Sequence, residues 1–182
     1  MNTNIKRKGI NMRNDFDAEF VRELFDYDAD AGILRWKYRK DVRSQCNSHY
    51  AGTVAGSINS YGYRIIKIKG RCYSAHRLVW FHVTGQWPVK EIDHINIIKD
   101  DNRFVNLREA TRSQNVRNLP ISSKNTSGFK GVSWRKKQGK FCAKIKTNGK
   151  NHHLGYFITP EDASTAYQDA AKRLHGEFAR VR

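Results

Sequence analysis

Several things are missing from this 182-residue sequence. It has three prolines, three cysteines and no CxxC pair. Cys46, Cys72 and Cys142 are odd in number and far apart, which argues against a zinc ribbon or finger and for free thiols in a reducing compartment. No run approaches 18 apolar residues, so no membrane-spanning helix is expected. The first residues, Met1-Asn2-Thr3-Asn4-Ile5-Lys6-Arg7-Lys8, lack the apolar stretch of a signal peptide, so a cytoplasmic location is expected. Glycine-rich dinucleotide and Walker fingerprints are absent, and no small-molecule cofactor is expected. Between residues 110 and 160 there is not one Asp or Glu.

The basic side chains dominate what is there. Lys and Arg number 34 against 17 Asp and Glu, a net charge of +17. Hydrophobic residues make up 38% and aromatics 12%, enough apolar area for a packed core in one or two domains. The charge is segregated. Residues 15–34 hold seven carboxylates (Asp15, Asp17, Glu19, Glu23, Asp26, Asp28, Asp30) and only Arg22 against them. The carboxylate-free stretch holds eleven basic groups: Arg112, Arg117, Lys124, Lys130, Arg135, Lys136, Lys137, Lys140, Lys144, Lys146 and Lys150. An ordinary solvated surface mixes both signs. A one-sign stretch of this length points to a nucleic-acid face, where Lys and Arg displace counterions from phosphates. An anionic membrane is the weaker alternative, because these residues fall on expected strands and turns rather than on an amphipathic helix.

Local patterns suggest the organisation. Residues 1–14 read as a flexible basic arm. Phe16, Phe20, Val21, Leu24 and Phe25 have helical spacing over 16–26. Ala31-Gly32 turns into a strand at Ile33–Trp36, and 37–60 reads as loop. Tyr63–Lys69 alternates and turns at Gly70-Arg71, which predicts a hairpin. Ser74 and Gly85 bracket a helix over Ala75–Thr84. Trp80 and Phe81 are expected in the core, His76 is read as structural, and Trp36, Trp87 and Trp134 as packing residues. Leu119–Gly128 is the best linker candidate. Three short strands follow, at 129–135, 140–146 and 151–157. Phe141, Ala143 and Ile145 face one way; Lys140, Cys142, Lys144 and Lys146 face the other. His152 is expected on the helix side. Thr159-Pro160-Glu161-Asp162 starts a helix whose stripe Ala163, Ala166, Tyr167, Ala170, Ala171 and Leu174 covers the apolar face of the sheet.

One constellation carries chemistry. Asp93-His94 ends a short apolar segment, and Thr111 with Gln114 marks a helix start that puts Asn115 on the first turn. A carboxylate and an amide oxygen are hard ligands suited to Mg²⁺ or Mn²⁺, and a neutral imidazole can take a proton from water near pH 7. These are the needs of metal-assisted phosphodiester hydrolysis. By spacing alone, an isolated Asp–His pair is more often structural than catalytic.

The segments Ala75-His76-Arg77-Leu78-Val79-Trp80, Asp93-His94-Ile95-Asn96, Asp101-Asn102-Arg103, Asn106-Leu107-Arg108, Thr111 and Gln114-Asn115 together resemble the HNH homing-endonuclease family of phages and mobile introns. The resemblance spans about 63–118. It implies a ββα-metal fold, a two-stranded hairpin and a helix around one divalent ion. By position it makes His94 the general base, Asn106 a brace of the motif, and Asp93 and Asn115 the metal ligands. Asn115 stands where colicin-type members have His, which favours Mg²⁺ or Mn²⁺ over tight zinc. Arg103 and Arg108 are candidates to clamp the scissile phosphate.

Ser127-Gly128-Phe129-Lys130-Gly131-Val132, Lys140–Ile145, His153–Phe157, Thr159–Ala163, Ala166-Tyr167, Ala170-Ala171 and His175-Gly176 resemble a second family, the plant ethylene-response-factor (Apetala-type) DNA-binding domain. That resemblance implies a three-stranded sheet in the major groove. Lys130, Ser133, Arg135, Lys137, Lys140, Lys144, Lys146, Lys150 and His153 are the expected DNA contacts. Ser133, Lys144 and His153 replace the Arg, Glu and Trp usual in that family, which shifts the contacts from bases toward phosphates.

The expected protein is an α+β chain. It has a basic arm (1–14), a ββα-metal nuclease domain (15–118, motif core 63–118), a linker (119–127) and a three-stranded antiparallel sheet packed on one helix (128–182). The expected activity is metal-dependent endonucleolytic cleavage of double-stranded DNA by a monomer, inside a bacterial host if phage-encoded. A DNA-binding regulator with a decayed nuclease site is the alternative.

Overall fold

The computed structural model describes residues 16–180. The basic arm and Asp15 lie outside the described residues. The chain forms two compact units. The first holds the described residues up to Pro88 together with Lys99–Val105; the second holds Val89–Ile98 and the described residues from Asn106 onward. This division does not follow the expected 15–118, 119–127 and 128–182 boundaries. The expected linker is no boundary between units, because the Lys130 ammonium bonds back to the carbonyls of Arg117 (2.5 Å) and Leu119 (2.8 Å).

In the first unit, Asp17 caps α1 (Ala18–Leu24) by accepting from the Phe20 amide at 2.9 Å. The helix ends sooner than its apolar spacing suggests. Phe25 begins β1 (Phe25–Asp28), which pairs antiparallel with β2 (Ile33–Trp36) and sets Phe25 against Trp36, ring centres 4.5 Å apart. The expected loop holds a short helix, α2 (Ser44–Tyr50), and the two-residue strand β3 (Ser57–Ile58). The hairpin of β4 (Arg64–Ile68) and β5 (Arg71–Ser74) completes a sheet in the order β3-β4-β5. Helix α3 (Ala75–Thr84) ends at Gly85 as expected, although the Ser74 side chain makes no capping bond. Val21, Leu24, Phe25, Leu34, Ile66, Leu78 and Val79 are buried in this unit. Trp87 stacks on Phe81 at 4.3 Å, and Trp80 packs on Phe104 at 5.3 Å.

In the second unit, β6 (Glu91–His94) and β7 (Leu107–Ala110) form an antiparallel hairpin, with Asp93 opposite Arg108 and His94 opposite Leu107. Helix α4 (Arg112–Asn118) follows. It opens with a complete capping box between Thr111 and Gln114. The strands β8 (Val132–Arg135), β9 (Lys140–Thr147) and β10 (Lys150–Phe157) form the expected antiparallel sheet, ordered β10-β9-β8. Helix α5 (Pro160–His175) covers its apolar face, with Ala143, Ile145, Ala163, Tyr167, Ala170 and Ala171 buried together. Its stripe differs at the end: Leu174 is 46% exposed and His175 is buried instead. The His175 Nε2 lies 3.2 Å from the Lys146 carbonyl, and burial lowers the pKa of the ring. Cys142 is fully buried despite its place on the lysine side, while Trp134, read as packing, is half exposed with its ring edge on Phe141.

A β-bulge in β10 sets the pattern of the outer face. The register slips between His153, opposite Lys144, and Gly155, opposite Ala143. The extra residue, Leu154, packs on the core. The slip changes the strand's parity, so Tyr156 joins His153 on the lysine face and Phe157 turns to the helix.

Candidate active site and nucleic-acid interface

The hairpin β6–β7 and helix α4 build a buried polar centre from two short periodicities. Alternation along β6 puts Glu91 and Asp93 on one face. One helical turn puts Asn115 and Asn118 on one face of α4. The two faces meet in two rungs. The Asn115 amide donates to Glu91 Oε2 at 2.7 Å. The Asn118 amide donates to Asp93 Oδ1 at 3.0 Å and Oδ2 at 3.1 Å, and to the His94 carbonyl at 2.8 Å. Asp93 is only 4% exposed. A buried carboxylate needs charged or hydrogen-bonding partners, and Arg108, directly opposite on β7, supplies them. Its Nε and a terminal nitrogen lie 2.9 and 2.8 Å from Asp93 Oδ2.

The loop between the strands is fixed by an amide pair. Asn106 Oδ1 accepts from the Asn96 backbone at 3.0 Å, and its Nδ2 donates to Asn96 Oδ1 at 3.0 Å. The Asn106 carbonyl accepts from the Ile95 amide at 2.9 Å. His94 ends β6 beside this braced turn and is 5% exposed.

The structure therefore brings Asp93, Asn106 and Asn115 into one hairpin–helix motif with His94, while Asn115 bonds to Glu91 rather than to Asp93. Arg108 is turned onto Asp93 and is not presented outward as a phosphate clamp. Arg103 lies in the first unit, exposed and forked onto Asp101 at 2.8 and 2.7 Å. Two members of the centre, Glu91 and Asn118, escaped the sequence reading. The signal was present: each lies one strand repeat or one helix turn from a residue already singled out.

The donor set can be tested against a divalent ion. Asp93 and Asn115 offer one carboxylate and one amide oxygen, and no cluster of three His, Cys, Asp or Glu side chains suited to a metal occurs among the described residues. Mg²⁺ is commonly held by one or two carboxylates, water and substrate phosphate. Among the described residues, Asp93 Oδ1 accepts a single hydrogen bond and retains a lone pair. The Asn115 nitrogen is engaged by Glu91, so its oxygen is the atom it can offer a cation. In chemical type, these two oxygens suit such an ion.

The sheet of the second unit carries the other candidate surface. Ser133, Arg135, Lys140, Lys144, Lys146, His153 and Tyr156 share its outer face by strand register. Lys137 lies in the β8–β9 turn and Lys150 starts β10. An open depression of about 460 Å³ is lined by Arg135, Lys136, Lys137, Lys144 and Tyr156. Lys130 is removed from this face. Its ammonium turns to the Arg117 and Leu119 carbonyls, and its partial burial, with Arg180 nearby, pushes its pKa down to about 8.

The family profile described as HNH endonuclease matches residues 73–117. Protein 3.8 of Escherichia phage T7 is 33% identical over 108 residues, covering 59% of this chain and 88% of that protein. The chain belongs to the HNH endonuclease family. It is a nuclease by that membership. An uncharacterised HNH endonuclease of Acanthamoeba polyphaga mimivirus is 36% identical over 106 residues, which span 57% of this chain and 54% of that protein. The structure of the HNH homing endonuclease I-HmuI, described with its DNA binding and cleavage, aligns over 92% of this chain and 91% of its own, with a TM-score of 0.41 and 19% identity. The profile match runs from within β5 to Arg117 in α4 and so includes Glu91, Asp93, His94, Asn106, Arg108 and Asn115. No helix among the described residues is long and apolar enough to cross a membrane.

Proposed function

We propose that this HNH nuclease is a homing-type endonuclease that hydrolyses phosphodiester bonds of double-stranded DNA with one Mg²⁺ or Mn²⁺. Asp93 and Asn115 would hold the ion. The chemistry it supplies when bound is stabilisation of negative charge on the scissile phosphate and on the departing 3′ oxygen.

His94 has the role of general base. A neutral imidazole at the end of β6 takes a proton from the attacking water near pH 7. Asn106 holds the turn that follows His94, so its amide pair with Asn96 fixes the base rather than touching substrate. Asn118 and Arg108 keep the Asp93 carboxylate in one orientation. Resemblance to the family extends to products with 5′-phosphate and 3′-hydroxyl ends.

The outer face of the β8–β10 sheet is the DNA grip. Its cations come from adjacent strands at regular spacing, which suits the phosphates of a duplex, and an Apetala-type sheet laid in the major groove is the arrangement that fits it. Arg103, exposed beside Asp101, remains a candidate phosphate contact.

The observation that carries this reading is the buried Asp93 carboxylate, paired with Arg108 at 2.8 Å inside a hairpin–helix motif that the family profile covers. A plasmid-nicking assay with Mg²⁺ or Mn²⁺ tests it. Wild-type protein converts supercoiled DNA to nicked or linear forms, EDTA stops the reaction, and His94→Ala loses at least about 100-fold in rate, the low end of what a general base supplies. Pure protein that binds DNA and never cuts it, or His94→Ala that cuts at the wild-type rate, overturns the assignment.

A further inference from the structure

We propose that Arg108 is a positioning residue for Asp93, and that the C-terminal turn Gly176–Phe178 holds it in place. The sheet-and-helix module then completes the nuclease centre in addition to gripping DNA. The proposal rests on Asp93 being a metal ligand.

Arg108 has three kinds of partner. Two of its nitrogens sit on Asp93 Oδ2 at 2.9 and 2.8 Å. A third donates to the Glu177 carbonyl at 2.7 Å. The face of the guanidinium lies 3.8 Å from the centre of the Phe178 ring, a cation–π contact. The side chain is 13% exposed. A phosphate would have to displace a carboxylate, a carbonyl and an aromatic ring to reach it, so a role as DNA clamp does not fit this geometry.

What the contact does to Asp93 follows from the count of donors on each oxygen. Among the described residues, Oδ2 receives two nitrogens of Arg108 and the amide of Asn118, and Oδ1 receives Asn118 alone. The carboxylate is pinned through one oxygen and the other is left as the donor. A buried ion pair is a poor device for stability, because desolvation of both charges offsets most of their attraction. Orientation is what this pair supplies.

A second connection reaches Asp93 independently. Lys130, just before β8, bonds to the carbonyls of Arg117 and Leu119, the residues on either side of Asn118. Both side chains that hold Asp93 are thus tied to the C-terminal module, one by Phe178 and Glu177, the other by Lys130.

Partners that orient a metal ligand typically contribute about 10–100-fold in metal affinity or activity. The test uses the full chain, with Mn²⁺ binding followed by electron paramagnetic resonance without DNA, DNA affinity measured in EDTA, and single-turnover cleavage. Phe178→Leu keeps the bulk and removes the ring face; Arg108→Lys keeps the charge and removes the fork. Both are expected to weaken Mn²⁺ binding and slow cleavage about tenfold, with DNA affinity within about twofold of wild type. Phe178→Tyr, which keeps the ring, restores most of both. Should Phe178→Leu fail to fold, Arg108→Lys decides. Wild-type Mn²⁺ binding and cleavage in these variants, or a loss confined to DNA affinity, overturns the positioning role. Asp93→Asn separates this from the underlying assignment: if it binds Mn²⁺ like wild type, the metal assignment itself fails.

Discussion

The side-chain amide of Asn118 donates to both oxygens of Asp93, at 3.0 and 3.1 Å, from the last residue of α4. The same nitrogen also serves the His94 carbonyl, so one buried amide ties the carboxylate to the backbone of the adjacent histidine. Asn118→Ala leaves these acceptors short of a donor. Hydrogen bonds to charged groups contribute about 1.5–3 kcal/mol, so we expect a loss of roughly 2 kcal/mol in urea unfolding. Cleavage is expected to fall about tenfold in kcat with little change in KM for DNA, because the carboxylate is displaced and the DNA-facing sheet is untouched. Asn118→Asp is expected to be worse, since it sets a second carboxylate against Asp93. If both variants keep wild-type kcat, Asp93 does not depend on this amide.

Lys130 gives a pH signature that can be separated from DNA binding. Burial lowers its pKa from 10.5 to about 8 in the folded chain. Below pH 8 the lysine is charged in both states, and the cost of burying that charge is fully present. From about pH 8 to 10.5 the folded chain has released the proton and the unfolded chain still holds it. The unfolded state then binds more protons, so stability rises with pH through that window. Lys130→Met lacks this contribution. The difference in urea midpoint between wild type and Lys130→Met is expected to move in favour of wild type from pH 7.5 to 9.5 by the sign of this linkage. The slope of DNA affinity against salt should be the same in both, because this ammonium is not on the outer face. A flat difference in midpoint would show that Lys130 is not buried as a cation.

The second unit's sheet and covering helix were legible in the sequence because their information is local. Alternation in Phe141–Lys146, the Thr159–Asp162 cap and the alanine stripe of α5 each sit within a few residues. Helix α2 was not legible for the opposite reason. Its one buried residue is the polar Asn47, which clasps the backbone of Arg39 at 2.9 and 2.6 Å, so there is no apolar stripe to read. In the candidate centre, Asp93, His94 and Asn115 were singled out by their chemistry and spacing, and Asn106 by a family pattern. Arg108 was singled out but given an outward role, since its partners Glu177 and Phe178 are about seventy positions away and no local spacing announces them. Lys130 was placed on the DNA face for the same reason: nothing in its neighbourhood shows that it reaches back to α4.

Gly131 is required by contact as well as by backbone angle. Its φ is +73°, and a Cβ there would lie 2.2 Å from the Tyr167 ring and 2.7 Å from the Lys144 carbonyl. Its own carbonyl accepts from the Lys144 amide at 2.9 Å, so it cannot move without opening the edge of the sheet. Gly131→Ala combines left-handed strain of about 1–2 kcal/mol with overpacking of about 1–3 kcal/mol. We expect a loss of roughly 2–5 kcal/mol by urea unfolding. Gly139→Ala is the control. Its φ is +57° with nothing near the added carbon, so only the strain of about 1–2 kcal/mol is expected. Equal losses at the two positions would mean that Tyr167 does not press on this turn.

Lys144 and Lys146 lie two residues apart on β9, and both point to the outer face, opposite His153 and Asn151. If each neutralises one phosphate, removing both lowers the slope of log affinity against log salt by about 1.8, at about 0.9 per phosphate on duplex DNA. The double variant Lys144→Ala, Lys146→Ala is therefore expected to bind more weakly at low salt and to approach wild type as salt rises. Its loss should be similar on unrelated sequences, since phosphate contacts carry no base information. Tyr156→Ala distinguishes the remaining part of the face. The bulge places this ring beside His153, at 4.6 Å between centres, so its removal should change affinity without changing the salt slope. Fluorescence anisotropy across a salt series reads both quantities. An unchanged slope in the double lysine variant would take the sheet out of contact with the DNA backbone.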